Sequence, residues 1–273
     1  MSTYNESAAP KVTTVRLQAM KDAGEKIACI TSYDFTMSRL VDAAGADFIL
    51  VGDSAANVMM GYDTTLPITL DDMITFAKGA VRGARRALVV VDMPFGYYQG
   101  MPDEAVRSAV RIMKETGAAA VKMEGGEEIR ESIARVLAAG IPVCAHLGLT
   151  PQSVNKFGGY GVRAKGDAEA DRLISDALML QELGCFALVL EKIPAALASD
   201  LTRKLRIPTI GIGAGSETDG QILVVQDMLG MNEGFKPKFM RHFGQIGKAI
   251  TEAVGTYVSE VKAVTFPSAT EQY

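Results

Sequence analysis

The chain has 273 residues, 48% hydrophobic, 22% charged and 7% aromatic, with 28 basic against 32 acidic side chains and a formal net charge of −4. This balance excludes a disordered chain, which is poor in apolar residues and rich in charge, and the 27 glycines and 10 prolines follow no collagen-like period. It leaves no electrostatic footprint for nucleic acid, and no run approaches the roughly 18 apolar residues of a membrane span.

Residues 1–11 are small and polar and are expected as a flexible N-terminal tail, without the apolar core of a signal peptide. A helix is predicted over 13–23. Short runs rich in Val, Ile and Leu then recur at 27–31, 48–51, 88–91, 119–123, 141–145, 186–190 and 208–212, with an eighth at 222–225. Apolar on both faces, they read as parallel strands covered by helices. The intervening segments have helical spacing. Val106, Ala109, Val110 and Met113 fall at i, i+3, i+4, i+7, and Ile129, Ile133, Val136 and Leu137 make a second stripe. Gly45, Gly117, Gly140 and Gly184 stand where the glycine after a helix belongs. Thr69 followed by Asp71 and Asp72 reads as a helix start, which assigns those acids to the helix dipole. The basic clusters Arg82, Arg85, Arg86 and Arg203, Lys204, Arg206 fall at helix ends, where cations offset that dipole. A last amphipathic helix is predicted over 245–263 with Ile246, Ile250, Val254 and Val258 on one stripe, followed by a C-terminal tail over 265–273.

Eight alternating units predict an α/β fold, a single (β/α)8 TIM barrel over 12–264 with the 13–23 helix plugging its floor. A doubly wound open sheet is the competitor. Cys29, Cys144 and Cys185 lie scattered in apolar stretches, as buried free thiols of a reducing compartment do, and a cytoplasmic location is expected.

Four apolar runs stop on an acid: Asp53, Asp92, Glu124 and Glu191. At the carboxyl ends of barrel strands such side chains converge on the face that carries active sites. Lys122 and Glu124 are two apart and share a face. Inside a barrel they need a ligand or each other, and an internal salt bridge is the simpler alternative. Carboxylates without clustered Cys or His select a hard cation such as Mg²⁺, with Asp53, Asp92 and Glu124 as candidate ligands. His146, one of only two histidines, ends the fifth strand on the same rim. The GIGAG stretch at 211–215 fits a phosphate loop or a close helix or substrate approach, and spacing alone leaves these open. The long connections 54–68 and 147–166 carry Met59, Met60, Tyr62, Phe157 and Tyr160, and are expected as folded lids over a water-poor pocket.

VGDS at 51–54, TLP at 65–67, DMPF at 92–95, VKMEGG at 121–126, AHLGLTPQSVN at 145–155, LVLE at 188–191, and GIGAG with TDGQ at 218–221 occur in this order. In these segments the chain resembles the ketopantoate hydroxymethyltransferase family. The resemblance implies a Mg²⁺-dependent barrel of the phosphoenolpyruvate/pyruvate-binding type, serving pantothenate and coenzyme A biosynthesis and assembling as a homo-oligomer, commonly a decamer. It implies transfer of a hydroxymethyl group from 5,10-methylenetetrahydrofolate to 3-methyl-2-oxobutanoate by Mg²⁺-assisted enolisation, giving 2-dehydropantoate and tetrahydrofolate. It further implies that Asp53, Asp92 and Glu124 hold the metal, that Asp53, Ser54, Asp92 and Lys122 contact substrate, and that Glu191 accepts the proton. His146 is expected in the substrate pocket. Two alternatives stand beside this. A Mg²⁺-dependent C–C lyase or mutase on the same scaffold would be expected to carry a cysteine on a mobile loop. A noncatalytic oligomeric binding protein would have no use for so many buried charges.

Overall fold

A computed structural model describes residues 10–232, 234 and 237–273. Its strands are β1 (Ile27–Thr31), β2 (Phe48–Val51), β3 (Leu88–Asp92), β4 (Ala120–Glu124), β5 (Val143–Gly148), β6 (Ala187–Glu191), β7 (Thr209–Ile212) and β8 (Gly220–Leu223). Each pairs in parallel with its neighbour in chain order, and β1 pairs with β8, so the sheet closes into a barrel. That closing pair excludes the open doubly wound sheet.

Alternation along the strands explains the interior. Ile27 and Cys29 on β1, Phe48 and Leu50 on β2, Leu88 and Val90 on β3, Ala120 on β4, Cys144 on β5 and Ala187 and Val189 on β6 share one buried apolar cluster. One residue in two faces inward, as a pleated strand requires. The floor is sealed by the helix Thr14–Asp22, whose Thr13 side chain caps it by accepting from the Arg16 amide at 3.2 Å. Leu17 and Met20 of that helix join the same cluster, which confirms the predicted plug. Lys21 pins it there, its Nζ 2.7 Å from Asp219 Oδ2.

Elsewhere the predicted elements shift by small steps. β5 runs on to Gly148 because its pairing with β6 continues to Gly148 opposite Glu191. β8 begins at Gly220, two residues earlier than its apolar run, because Gly220 pairs with Ile27. A Cβ at Gly220 would lie 2.6 Å from the Ile27 carbonyl oxygen, so the strand opens on a residue with no hydropathy signal. Thr69 and Asp72 form a reciprocal capping box on helix Leu70–Gly83, as their spacing predicts.

The chain divides into two compact units, one ending at Leu223 and one over Val224–Tyr273, whereas the sequence suggested a single domain to residue 264. All eight strands lie in the first. The second holds the short helix Val225–Met228 and the predicted last helix, found at Ile246–Lys262, along which Ile246, Ile250, Val254 and Val258 are exposed. Except for residues 10 and 11, the predicted N-terminal tail lies outside the described residues. Among the described residues no helix is long and apolar enough to cross a membrane.

Candidate active site

The inward parity of the core residues continues to the top of the barrel and changes chemistry there. On β3 the series Leu88, Val90 ends in Asp92. On β4 Ala120 is followed by Lys122 and Glu124, on β5 Cys144 by His146, and on β6 Ala187 and Val189 by Glu191. An apolar cup thus carries an ionic upper layer, in which Asp53, Asp92, Lys122, Glu124 and His146 are each at most 6% exposed. Asp53 and Ser54 enter by another route, on the turn after β2. The Asp53 amide donates to Asp92 Oδ2 at 2.9 Å, and Ser54 Oγ lies 2.8 Å from the Tyr33 hydroxyl.

Lys122 is the centre of the layer. Its Nζ lies 3.0 Å from Asp92 Oδ1, 3.2 Å from Glu124 Oε1 and 3.1 Å from His146 Nδ1. The His146 ring bridges the layer, with Nδ1 3.2 Å from Glu124 Oε1 and Nε2 3.5 Å from Glu191 Oε2. The internal salt bridge anticipated from the sequence is therefore present, but it does not neutralise the cup. Burial, with Glu124 and Asp92 close by, pushes the Asp53 carboxyl well above the usual carboxylate range. Burial also raises Asp92, against the pull of Lys122. Burial opposes charge on Lys122 and on Glu124 as well, yet the surrounding carboxylates hold the ammonium well above its ordinary value, while Lys122 and His146 hold Glu124 down at about 2. Burial and Lys122 oppose charge on the His146 ring, yet Glu124 and Glu191 raise it to about 9, so the carboxyl groups of Asp53, Asp92, Glu124 and Glu191 outnumber two cationic partners, Lys122 and His146.

That excess is a fit for a hard cation. Asp92 Oδ1 is a buried oxygen held by charge alone, close to Lys122 but outside hydrogen-bond alignment. Among the described residues no three His, Cys, Asp or Glu side chains form a ready-made ligand set. A cation here would take one or two carboxylates and complete its shell with water and substrate, which is the habit of Mg²⁺. Oxygen donors with one isolated imidazole suit Mg²⁺ far better than zinc.

Sequence reasoning missed Gln152 and Tyr98. Gln152, on the short turn Pro151–Ser153 after β5, donates from Nε2 to Asp53 Oδ2 at 2.9 Å, and the Tyr98 hydroxyl lies 2.7 Å from Gln152 Oε1. Both sit inside quoted motifs or next to them, but as neutral residues away from a strand end they gave no signal of their own.

The long connections are folded. Residues 54–68 contain the helix Ala55–Val58, and 147–166 contain Pro151–Ser153 and Val154–Phe157. Met59, Met60, Tyr62 and Tyr160 are exposed on them. The Arg163 guanidinium lies 3.9 Å over the Phe157 ring, and the Lys192 ammonium donates to the Tyr160 carbonyl, tying the second connection to the end of β6. Two of the three glycines of GIGAG serve close approach. A Cβ on Gly211 would lie 2.6 Å from Thr218 Oγ1, and one on Gly215 would lie 2.6 Å from the Ala195 Cβ at the start of helix Ala195–Lys204. Cys29, Cys144 and Cys185 are all buried, so none supplies the loop cysteine expected of a lyase.

Comparison with known proteins follows the same line. A family profile described as ketopantoate hydroxymethyltransferase matches residues 11–269. The 3-methyl-2-oxobutanoate hydroxymethyltransferase of Bacteroides fragilis is 60% identical over 273 residues, covering 100% of both chains. That of Porphyromonas gingivalis is 59% identical with the same coverage. Among solved structures, phosphonopyruvate hydrolase in complex with oxalate and Mg²⁺ superposes with a TM-score of 0.61 at 13% identity, covering 95% of this chain and 93% of that one. 2,3-Dimethylmalate lyase, a member of the PEP mutase/isocitrate lyase superfamily, gives 0.59 at 18% identity, covering 95% and 90%. These two likenesses concern the fold alone.

Proposed function

The chain belongs to the ketopantoate hydroxymethyltransferase family, and from that premise we propose that it transfers the one-carbon unit of 5,10-methylenetetrahydrofolate to 3-methyl-2-oxobutanoate as a hydroxymethyl group, consuming one water and giving 2-dehydropantoate and tetrahydrofolate. The observation that carries this reading is the buried excess of carboxylate around Lys122 at the open end of the barrel. Such a cup is costly to keep unless a cation and an anionic substrate occupy it together.

Asp53 and Asp92 would hold Mg²⁺, with Glu124 completing the set directly or through water. Once bound, the metal supplies Lewis acidity, drawing electron density from the α-keto acid where enolate charge develops. The protein's own groups do the rest. The Lys122 ammonium adds positive charge beside the substrate oxygens, and the Ser54 hydroxyl, held by Tyr33, donates to the substrate carboxylate. Glu191 takes the proton from the branched carbon. Its side chain is 15% exposed, against 3% for His146 beside it, and is therefore within reach of a ligand at the mouth. His146 borders both Glu124 and Glu191, which suits a wall of the substrate pocket. The folded connections limit water at the mouth, so that the one water the transfer consumes meets the bound substrates and the one-carbon donor is not hydrolysed ahead of transfer. The enzyme is read as a cytoplasmic homo-oligomer, commonly a decamer in its family, which sedimentation velocity would size.

The test is proton exchange. In D₂O with Mg²⁺, the branched-carbon proton signal of 3-methyl-2-oxobutanoate should disappear from the NMR spectrum, and Glu191→Gln should abolish that loss. A wild-type protein that neither exchanges this proton nor forms 2-dehydropantoate when the folate donor is added would sink the proposal.

A further inference from the structure

Gln152 carries none of the roles given above, yet its buried carboxamide uses every bonding position it has. Oε1 lies 2.7 Å from the Tyr98 hydroxyl and 2.9 Å from Gln99 Nε2, two donors. Nε2 donates to Asp53 Oδ2 at 2.9 Å and to the Met93 carbonyl at 3.0 Å, two acceptors. This pattern permits one orientation only. Flipped, the amide would set its NH₂ against the Gln99 donor and its oxygen against a carboxylate and a carbonyl. The main chain of the same residue engages a second acid, its amide donating to Glu124 Oε2 at 3.1 Å. Tyr98 is itself anchored, since its hydroxyl accepts from the Glu124 amide at 3.0 Å and its carbonyl accepts from Ser132 Oγ at 2.8 Å.

One residue on the turn after β5 therefore grips carboxylates that arrive from β2 and β4. Asp53 and Glu124 repel each other in the buried cup, and without a donor between them each would swing to a separate partner. Groups that orient metal ligands in this way are worth about 10–100-fold in metal affinity. Resting on the Mg²⁺ reading above, we infer that Gln152 is a positioning residue: with Tyr98 locking its amide, it holds the Asp53 and Glu124 carboxylates in the arrangement that binds Mg²⁺.

The experiment is calorimetric titration of MgCl₂ into metal-stripped full-length protein, comparing wild type, Gln152→Met and Tyr98→Phe, with thermal midpoints of the metal-free proteins measured alongside. Gln152→Met should weaken Mg²⁺ binding by about 10–100-fold. Tyr98→Phe, which leaves every carboxylate and Gln152 in place while unlocking the Gln152 amide and releasing the Glu124 main-chain amide, should weaken it by less. Activity lost at limiting Mg²⁺ should return in both variants as Mg²⁺ is raised, through KM rather than kcat. If Gln152→Met does not fold, Tyr98→Phe carries the test. Variants that lose thermal stability but bind Mg²⁺ like wild type would show Gln152 to be a structural tie and overturn the inference while leaving the Mg²⁺ reading intact. Wild-type protein that takes up no Mg²⁺ would overturn both.

Discussion

Lys122 pairs with Asp92 and Glu124 inside a cup from which water is largely excluded. Replacing it with Met removes the central cation and leaves carboxylates facing one another. Breaking a buried pair in this way costs about 3–5 kcal/mol, and urea unfolding of metal-free protein at neutral pH should register a loss of that order. MgCl₂ should restore part of it by supplying the missing positive charge. The thiols give a second residue-scale prediction. Burial pushes Cys29 and Cys144 far up and Cys185 up to about 12, so the reactive thiolate is absent at neutral pH. Native protein should resist iodoacetamide through pH 9, whereas urea-unfolded protein should be modified at all three positions; modification of native protein would contradict the assigned burial. The acids of the site were legible at this scale because each ends an apolar run. Gln152 and Tyr98 were not, because a neutral amide or phenol joins a charged site only through contacts made in three dimensions.

Two elements place the chemistry through the close approach of backbone. At the end of β5, Gly148 has φ +95°, and a Cβ there would collide with the Glu191 carbonyl on β6. Gly148→Ala should displace Glu191, and a shift near 1 Å in a reacting group costs on the order of 10²-fold. The steady-state kcat should fall accordingly while far-UV circular dichroism keeps the barrel signature. Gly215, with φ +85°, packs against Ala195, so Gly215→Ala should cost about 1–3 kcal/mol in stability from overpacking. Chemical denaturation would read it. The placing of Lys122 and Glu124 on one face was legible from their spacing, but runs apolar on both sides did not say which face turns inward. The start of β8 was not, since Gly220 owes its place to the partner strand, and neither was the reason for GIGAG, which lies in Thr218 and Ala195.

For the whole protein, metal and fold are linked. A cation that binds only the folded cup adds about 2.7 kcal/mol at one hundred times its dissociation constant, which for a chain of this length raises Tm by roughly 5–10 °C. Scanning calorimetry with MgCl₂ against EDTA should find that rise, and Asp53→Ala should lose it while still folding. By itself the sequence determined the alternation of strand and helix, the count of eight such units, the acids at the strand ends and the family resemblance, because periodicity and motif order are local properties of the chain. Only the tertiary structure decided that β1 meets β8, that Lys122 stands between carboxylates from β3 and β4, and that a glutamine from the turn after β5 reaches Asp53. Those outcomes depend on register and loop path between segments far apart in sequence, and no local pattern encodes a distance across the barrel.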